Sequence, residues 1–196
     1  EVEEKTCLII GLGTIGKIIA HLAQGLDMKV IGFDSFLTKE QMAEIGVEKY
    51  DDKMEAIKAA DVVIVQMPLI DGVTNNTIDK AELDAMKKTA VLINCSRGEI
   101  VNEPALCEAL KSGSIAGAGL DVFYHEPTLV DDEILHCPNV IVSPHSAAQT
   151  REAVIRMHTM CAEGCFAVAE GKKWPYVADK KVYEHPRWKD AEWAEV

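Results

Sequence analysis

Three side chains from the middle of the sequence onward, Arg97, Glu126 and His145, are of the types that move protons and hold anions. His145 lies in the stretch SPHS, and imidazole, which titrates near neutral pH, can both give and take a proton. Glu126 is its candidate partner, because a carboxylate beside an imidazole favours the charged ring and keeps a proton available. Arg97 carries a planar, permanently charged fork that can grip a carboxylate while one N–H reaches a carbonyl oxygen. Reduction of a 2-oxo acid needs such parts: a proton donor for the forming alkoxide, and a cation that polarises the carbonyl and holds the carboxylate. Taken singly, each residue has a plainer reading. A histidine after a strand can cap a turn, and Arg97 with Glu126 can be a surface or interdomain ion pair.

A second group lies near the start. The run CLIIGLGTIGKIIAHLA sets Gly11, Gly13 and Gly16 after an apolar strand and at the opening of a helix, the G-x-G-x-x-G arrangement of a dinucleotide site. Gly11 permits the tight turn, Gly13 removes the Cβ that would block a pyrophosphate, and Gly16 lets the helix approach the strand. The N–H groups of Thr14 and Ile15, at the positive end of the helix dipole, would then meet the phosphates. The motif alone is weak, but the strand MKVIGFD ends in Asp34, roughly 20 residues after Gly11, the distance such sites use. A carboxylate there accepts from both ribose hydroxyls and repels a 2′-phosphate, so NAD is expected over NADP. Beside a nucleotide site, the proton-moving residues read as machinery for hydride transfer, with Asp121 as a candidate for orienting the nicotinamide amide.

Such a site needs a scaffold that brings distant strand ends together. Short apolar runs alternate with stretches of helical period: TCLII, a helix over Thr14 to Gln24, MKVIGF, a helix near Lys39 to Ile45, and DVVIVQM. The rhythm continues through a helix near Lys80 to Lys87, TAVLIN, a helix over Glu103 to Lys111, IAGAGLDVF, NVIVS and a long helix beginning near Thr150. Val/Ile-rich runs suit strands buried on both faces. The expected fold is therefore α/β, a doubly wound parallel sheet of the Rossmann type with helices on each side. The predicted division is a nucleotide-binding domain over residues 1–171 and a C-terminal tail, 172–196, that holds Trp174, Trp188 and Trp193. The tail has no clear helical or alternating pattern and is expected to need something to pack against.

Composition narrows the partners. With 20 basic against 32 acidic residues and a net charge of -12, the chain would repel a phosphate backbone, so nucleic acid is not an expected partner. No apolar run approaches the ~20 residues that span a bilayer, and EVEEKT lacks the basic start of a secretory signal, which makes a cytoplasmic protein the simple reading. The cysteines lie apart, without a C-x-x-C pair or a matching C/H pair, and read as reduced thiols. Cys161 and Cys165, one helical turn apart, read as packing rather than as metal ligands, and no metal is expected.

The segments KTCLIIGLGTIGKIIA, MKVIGFD, MPL at Pro68, LINCSRGEIVNEPAL, GAGLDVFYHEP and PNVIVSPHSA stand in a recognisable order and spacing. In this the chain resembles the NAD-binding domain of the D-isomer-specific 2-hydroxyacid dehydrogenases, the family of D-lactate, phosphoglycerate, glycerate and hydroxypyruvate-type enzymes. The likeness runs from about Lys5 to Pro175. It implies that Arg97 binds substrate, that Glu126 and His145 form the acid–base pair, and that Asp121 lies near the nicotinamide. Pro68 and Cys95 join the cofactor-binding positions on the same ground. Glu126 beside Pro127 speaks against the formate dehydrogenase branch, which carries an amide there. The implied reaction interconverts a D-2-hydroxy acid and a 2-oxo acid with NAD. The implied partners are that small molecule and a second copy of the chain, the long helix and Ala105 to Leu110 resembling the family's dimer face.

Two expectations temper that reading. Family members usually carry most of a substrate domain before the glycines, whereas Gly11 arrives early here. The chain therefore reads as the cofactor-binding portion, weak or inactive by itself. The rival reading is an NAD-binding regulatory or scaffold module without turnover, since the corepressors that resemble these dehydrogenases can keep the same Arg, Glu and His.

Overall fold

In the computed structural model, which describes residues 1–188 and 193–195, the first apolar run forms β1 (Thr6–Ile10). Successive side chains on a strand point to opposite faces, and here both faces are buried: Leu8 and Ile10 join one core, Cys7 and Ile9 a second. That burial on two sides is what the continuous apolar runs require of a parallel sheet.

Six more strands complete the sheet: β2 (Lys29–Phe33), β3 (Glu48–Lys49), β4 (Val62–Val65), β5 (Val91–Asn94), β6 (Gly117–Leu120) and β7 (Val140–Val142). All pairings are parallel, in the order β3-β2-β1-β4-β5-β6-β7. The order reverses at β1 and β4, and open sheets of this kind bind ligands in the crevice at that reversal. Helices α1 (Thr14–Gln24) and α2 (Lys39–Glu44) supply Ala20, Ala23 and Met42 to one core. The other core takes Ala56 and Ile57 from α3 (Lys53–Ala59), Leu83 from α4 (Lys80–Ala85), and Leu106 and Leu110 from α5 (Glu103–Ser112). The doubly wound architecture expected from the sequence is the one observed.

Two expectations need correction. The periodicity announces neither α3 nor β3; the helix is only seven residues long and starts because Asp52 accepts the Met54 and Glu55 N–H groups at 2.7 and 3.0 Å. The apolar positions of α5 are not a dimer face, since Leu106, Cys107, Ala109 and Leu110 are buried in the core of their own sheet. By its contacts the chain groups into Glu1–Ser146 and Ala147–Val196.

The second unit gives the tail partners of its own. Its helix α6 (Arg151–Ala169) presents Gly164 to Trp174, where a Cβ would lie 3.1 Å from the indole nitrogen. Tyr183 Oη accepts the backbone N–H of Trp174 at 2.8 Å, and the rings of Tyr183 and Trp188 both pack edge-on against Trp193. The tail thus finds its platform in α6 and in its own aromatic side chains, joined by a short parallel pairing of β8 (Lys172–Lys173) with β9 (Ala194–Glu195). Among the described residues no helix is long and apolar enough to cross a membrane, and no three His, Cys, Asp or Glu side chains gather as a metal site would need.

Candidate active site

The candidate residues sit at the carboxyl ends of strands or in the loops that follow them, apart from Thr14, Ile15 and Gly16 in the first turn of α1. After β1, Gly11 adopts a φ of 96°, and a Cβ there would lie 2.3 Å from the Gln66 carbonyl oxygen, on the loop after β4. Gly11 is therefore wedged in the crevice where the strand order reverses. Gly16 is packed as tightly, because its Cβ would meet the Gly11 carbonyl oxygen at 2.2 Å. Gly13 differs: a Cβ there would meet nothing within 4 Å. The space over Gly13 is open, and it lies beside the exposed Thr14 and Ile15 at the start of α1.

No side chain caps α1 and no acid stands in its first turn, so the positive end of the helix dipole faces that open space uncompensated. Asp34 closes the other end. Its Oδ2 accepts the Leu12 N–H at 2.8 Å, and its Oδ1 accepts those of Phe36 and Leu37 at 2.7 and 3.1 Å. The carboxylate thereby ties the glycine turn to the end of β2. This donor set, an uncapped helix start, a cradle free of Cβ and a fixed acid at the second strand, fits a dinucleotide with an unphosphorylated ribose. Pro68 lies after β4, where its carbonyl oxygen accepts the hydroxyl of the buried Thr74 at 2.9 Å.

Arg97, Glu126 and His145 line one cavity of about 420 Å³, together with Gly98, Glu99, Phe123, Tyr124 and His125. Glu126 uses both carboxylate oxygens: Oε2 lies 2.7 Å from His145 Nδ1, and Oε1 accepts the Phe123 N–H at 3.0 Å. The hydrogen bond to His145 holds the Glu126 carboxyl below its ordinary value, against a desolvation that raises it; the Phe123 N–H and the charges of His145 and Arg97 add to the lowering. With Nδ1 engaged by Glu126, Nε2 is the ring nitrogen left for other partners. Arg97 directs its Nη1 to the Ser96 carbonyl at 2.6 Å rather than to either member of the pair.

The loops carrying these residues are braced by groups that the motifs do not single out. Asn94, 1% exposed at the end of β5, donates through Nδ2 to the Arg97 carbonyl, while its Oδ1 accepts from both the N–H and the hydroxyl of Ser96. Gly98 lies so close to the next loop that a Cβ would overlap the Phe123 carbonyl oxygen at 1.9 Å. That contact pulls the arginine loop onto the loop bearing Glu126. Asp121 is buried, its carbonyl oxygen accepting the His145 N–H at 2.8 Å and its Oδ1 accepting the Ser146 N–H and the Ser143 hydroxyl. Cys95 is exposed; its thiol is pushed up first by desolvation and then by the charge of Asp121, which keeps it protonated and a poor nucleophile. Asn94, Ser96 and Gly98 lie inside the NCSRG stretch, but nothing in their types alone distinguishes a brace from a linker.

Fold and site together define a dinucleotide-binding α/β protein in which a hydrogen-bonded Glu126–His145 pair and Arg97 line one cavity. More narrowly, the chain belongs to the D-isomer specific 2-hydroxyacid dehydrogenase family, whose NAD binding domain model matches residues 1–147. It is 38% identical over 182 residues to a glyoxylate reductase of Korarchaeum cryptofilum, covering 93% of this chain and 54% of that protein. It is 41% identical over 171 residues to a D-3-phosphoglycerate dehydrogenase of Bacillus subtilis, covering 87% of this chain and 32% of that one. A crystal structure of D-lactate dehydrogenase with NAD+ from Lactobacillus jensenii superposes with a TM-score of 0.80 at 34% identity, covering 90% of this chain and 56% of that one. The chain thus spans about half the length of the glyoxylate reductase and about a third of the phosphoglycerate dehydrogenase.

Proposed function

We propose that this chain serves an NAD-dependent dehydrogenase that interconverts a D-2-hydroxy acid and its 2-oxo acid. The observation that carries the proposal is the His145–Glu126 pair at 2.7 Å, opening on the same cavity as Arg97. When bound, the nicotinamide supplies or accepts the hydride at the substrate's C2. Arg97 grips the substrate carboxylate with its fork and polarises the carbonyl oxygen. Protonated His145 gives its Nε2 proton to that oxygen as the carbonyl is reduced and takes it back in the reverse direction, while Glu126 stabilises the charged ring through Nδ1. Gly11, Gly13, Thr14, Ile15 and Gly16 receive the pyrophosphate, Asp34 the ribose, and Pro68, Cys95 and Asp121 line the way to the nicotinamide.

This reading includes a homodimer, for which the exposed Ile18 and Leu22 of α1 are better candidates than α5. It also includes a cytoplasmic setting, in keeping with six free cysteines. In this reading residues 1–171 bind the cofactor, and the tail, 172–196, belongs to the substrate side. A second reading, an NAD-dependent regulatory module without turnover, draws on the openness of the pair, whose side chains are 47% and 36% exposed. Water in an open site weakens electrostatic catalysis. The deciding experiment is NADH oxidation with glyoxylate, hydroxypyruvate, pyruvate and bulkier 2-oxo acids, alongside NADH binding by fluorescence. Turnover supports the dehydrogenase; binding without turnover favours the module or a cofactor-binding portion; no binding overturns both.

A further inference from the structure

The proton pair depends on a turn held in a costly conformation. His145 has a φ of 48°, a left-handed backbone that a non-glycine residue keeps only where its surroundings fix it. The group that fixes it is Asp121, 3% exposed at the end of β6. Its carbonyl oxygen accepts the His145 N–H at 2.8 Å, and its Oδ1 accepts the Ser146 N–H at 2.9 Å. The same Oδ1 accepts the hydroxyl of Ser143. Ser143 is also where the ladder between β6 and β7 ends, its N–H donating to the Leu120 carbonyl at 2.9 Å. Backbone N–H groups are common to almost every residue type. The hydroxyl is a side-chain donor, so it is a part that sequence can change.

We propose that Ser143 is a positioning residue: its hydroxyl clamps the Asp121 carboxylate, and the clamp sets the turn that presents the His145 ring to Glu126. A buried carboxylate that loses a donor recovers it by admitting water or by shifting its neighbours. Either response moves the backbone on which His145 stands. The role matters for catalysis only through the acid–base pair of the proposed function, but the clamp itself is a property of the folded chain and can be read without turnover.

The test compares Ser143→Thr, which keeps the hydroxyl, with Ser143→Val, which has the shape of threonine and lacks it. Ser143→Ala, which adds no volume, is the second variant should the valine fail to fold. The readout is the tautomer of His145 in the neutral ring, from long-range proton–nitrogen NMR of the 15N-labelled chain. The wild type and Ser143→Thr are expected to carry the proton on Nδ1, held by Glu126. Ser143→Val and Ser143→Ala are expected to shift toward the Nε2 form that an unrestrained side chain prefers. In a preparation that turns over, kcat should fall about tenfold with KM nearly unchanged, as for a displaced but present catalytic group. An Nδ1 tautomer retained in the valine and alanine variants overturns the proposal, and so does its absence from the wild type. A chain that never binds NADH overturns the proposed function and leaves this result standing.

Discussion

At the scale of single residues, the pair and the cation make separable predictions. Glu126 has a carboxyl lowered chiefly by its hydrogen bond to His145. A carboxylate lowered in the folded state adds stability above its unfolded value of about 4.3, and that stability is lost as pH falls through the folded value. The stability difference between wild type and Glu126→Gln should therefore be largest near neutral pH and shrink below about pH 4.3. Urea unfolding across that range checks it; a gap that stays constant would mean that the hydrogen bond to His145 is not formed in solution. Arg97 predicts something else. Arg97→Lys keeps the charge and loses the fork, so kcat/KM for a 2-oxo acid should drop roughly a hundredfold while NADH affinity holds. These residue types are legible in the sequence itself, because imidazole, carboxylate and guanidinium each suit one task. Asn94, Ser96 and Ser143 are not, because a brace exists only once separate strand ends have met.

At the scale of elements, the three glycines of the first turn separate packing from binding. Gly16→Ala forces a Cβ to within 2.2 Å of a backbone oxygen, an overpacking that should cost about 1–3 kcal/mol and lower the thermal midpoint. Gly13→Ala adds a methyl to open space, so the midpoint should barely move while NADH affinity collapses. Thermal melts beside fluorescence titrations would show the contrast, and equal loss of stability in both variants would contradict it. Gly98→Ala belongs with Gly16, since its Cβ would strike the Phe123 backbone and drive the Arg97 loop from the Glu126 loop. Most strands and helices are readable because periodicity is a local property: the run TCLII is β1 and Thr14–Gln24 is α1, residue for residue. The two-residue β3 is too short to show a period, and the tail is held by aromatic contacts that no pattern announces.

At the scale of the whole molecule, the proposed homodimer makes its own prediction at the exposed Ile18 and Leu22 of α1. Sedimentation should show a dimer at micromolar concentration, and Leu22→Glu should shift it to monomer without loss of NADH binding; a wild-type monomer would remove this part of the proposal. The parallel sheet carries one more consequence. Because all the strands run the same way, every loop that could touch a ligand lies at one rim, and the opposite rim carries none of the proposed chemistry. The link between α4 and β5 on that opposite rim has Lys88 and Thr89 exposed side by side. A fluorescent protein spliced between them would ride on the nucleotide domain without entering the crevice, a label that follows the chain and leaves its cofactor site untouched.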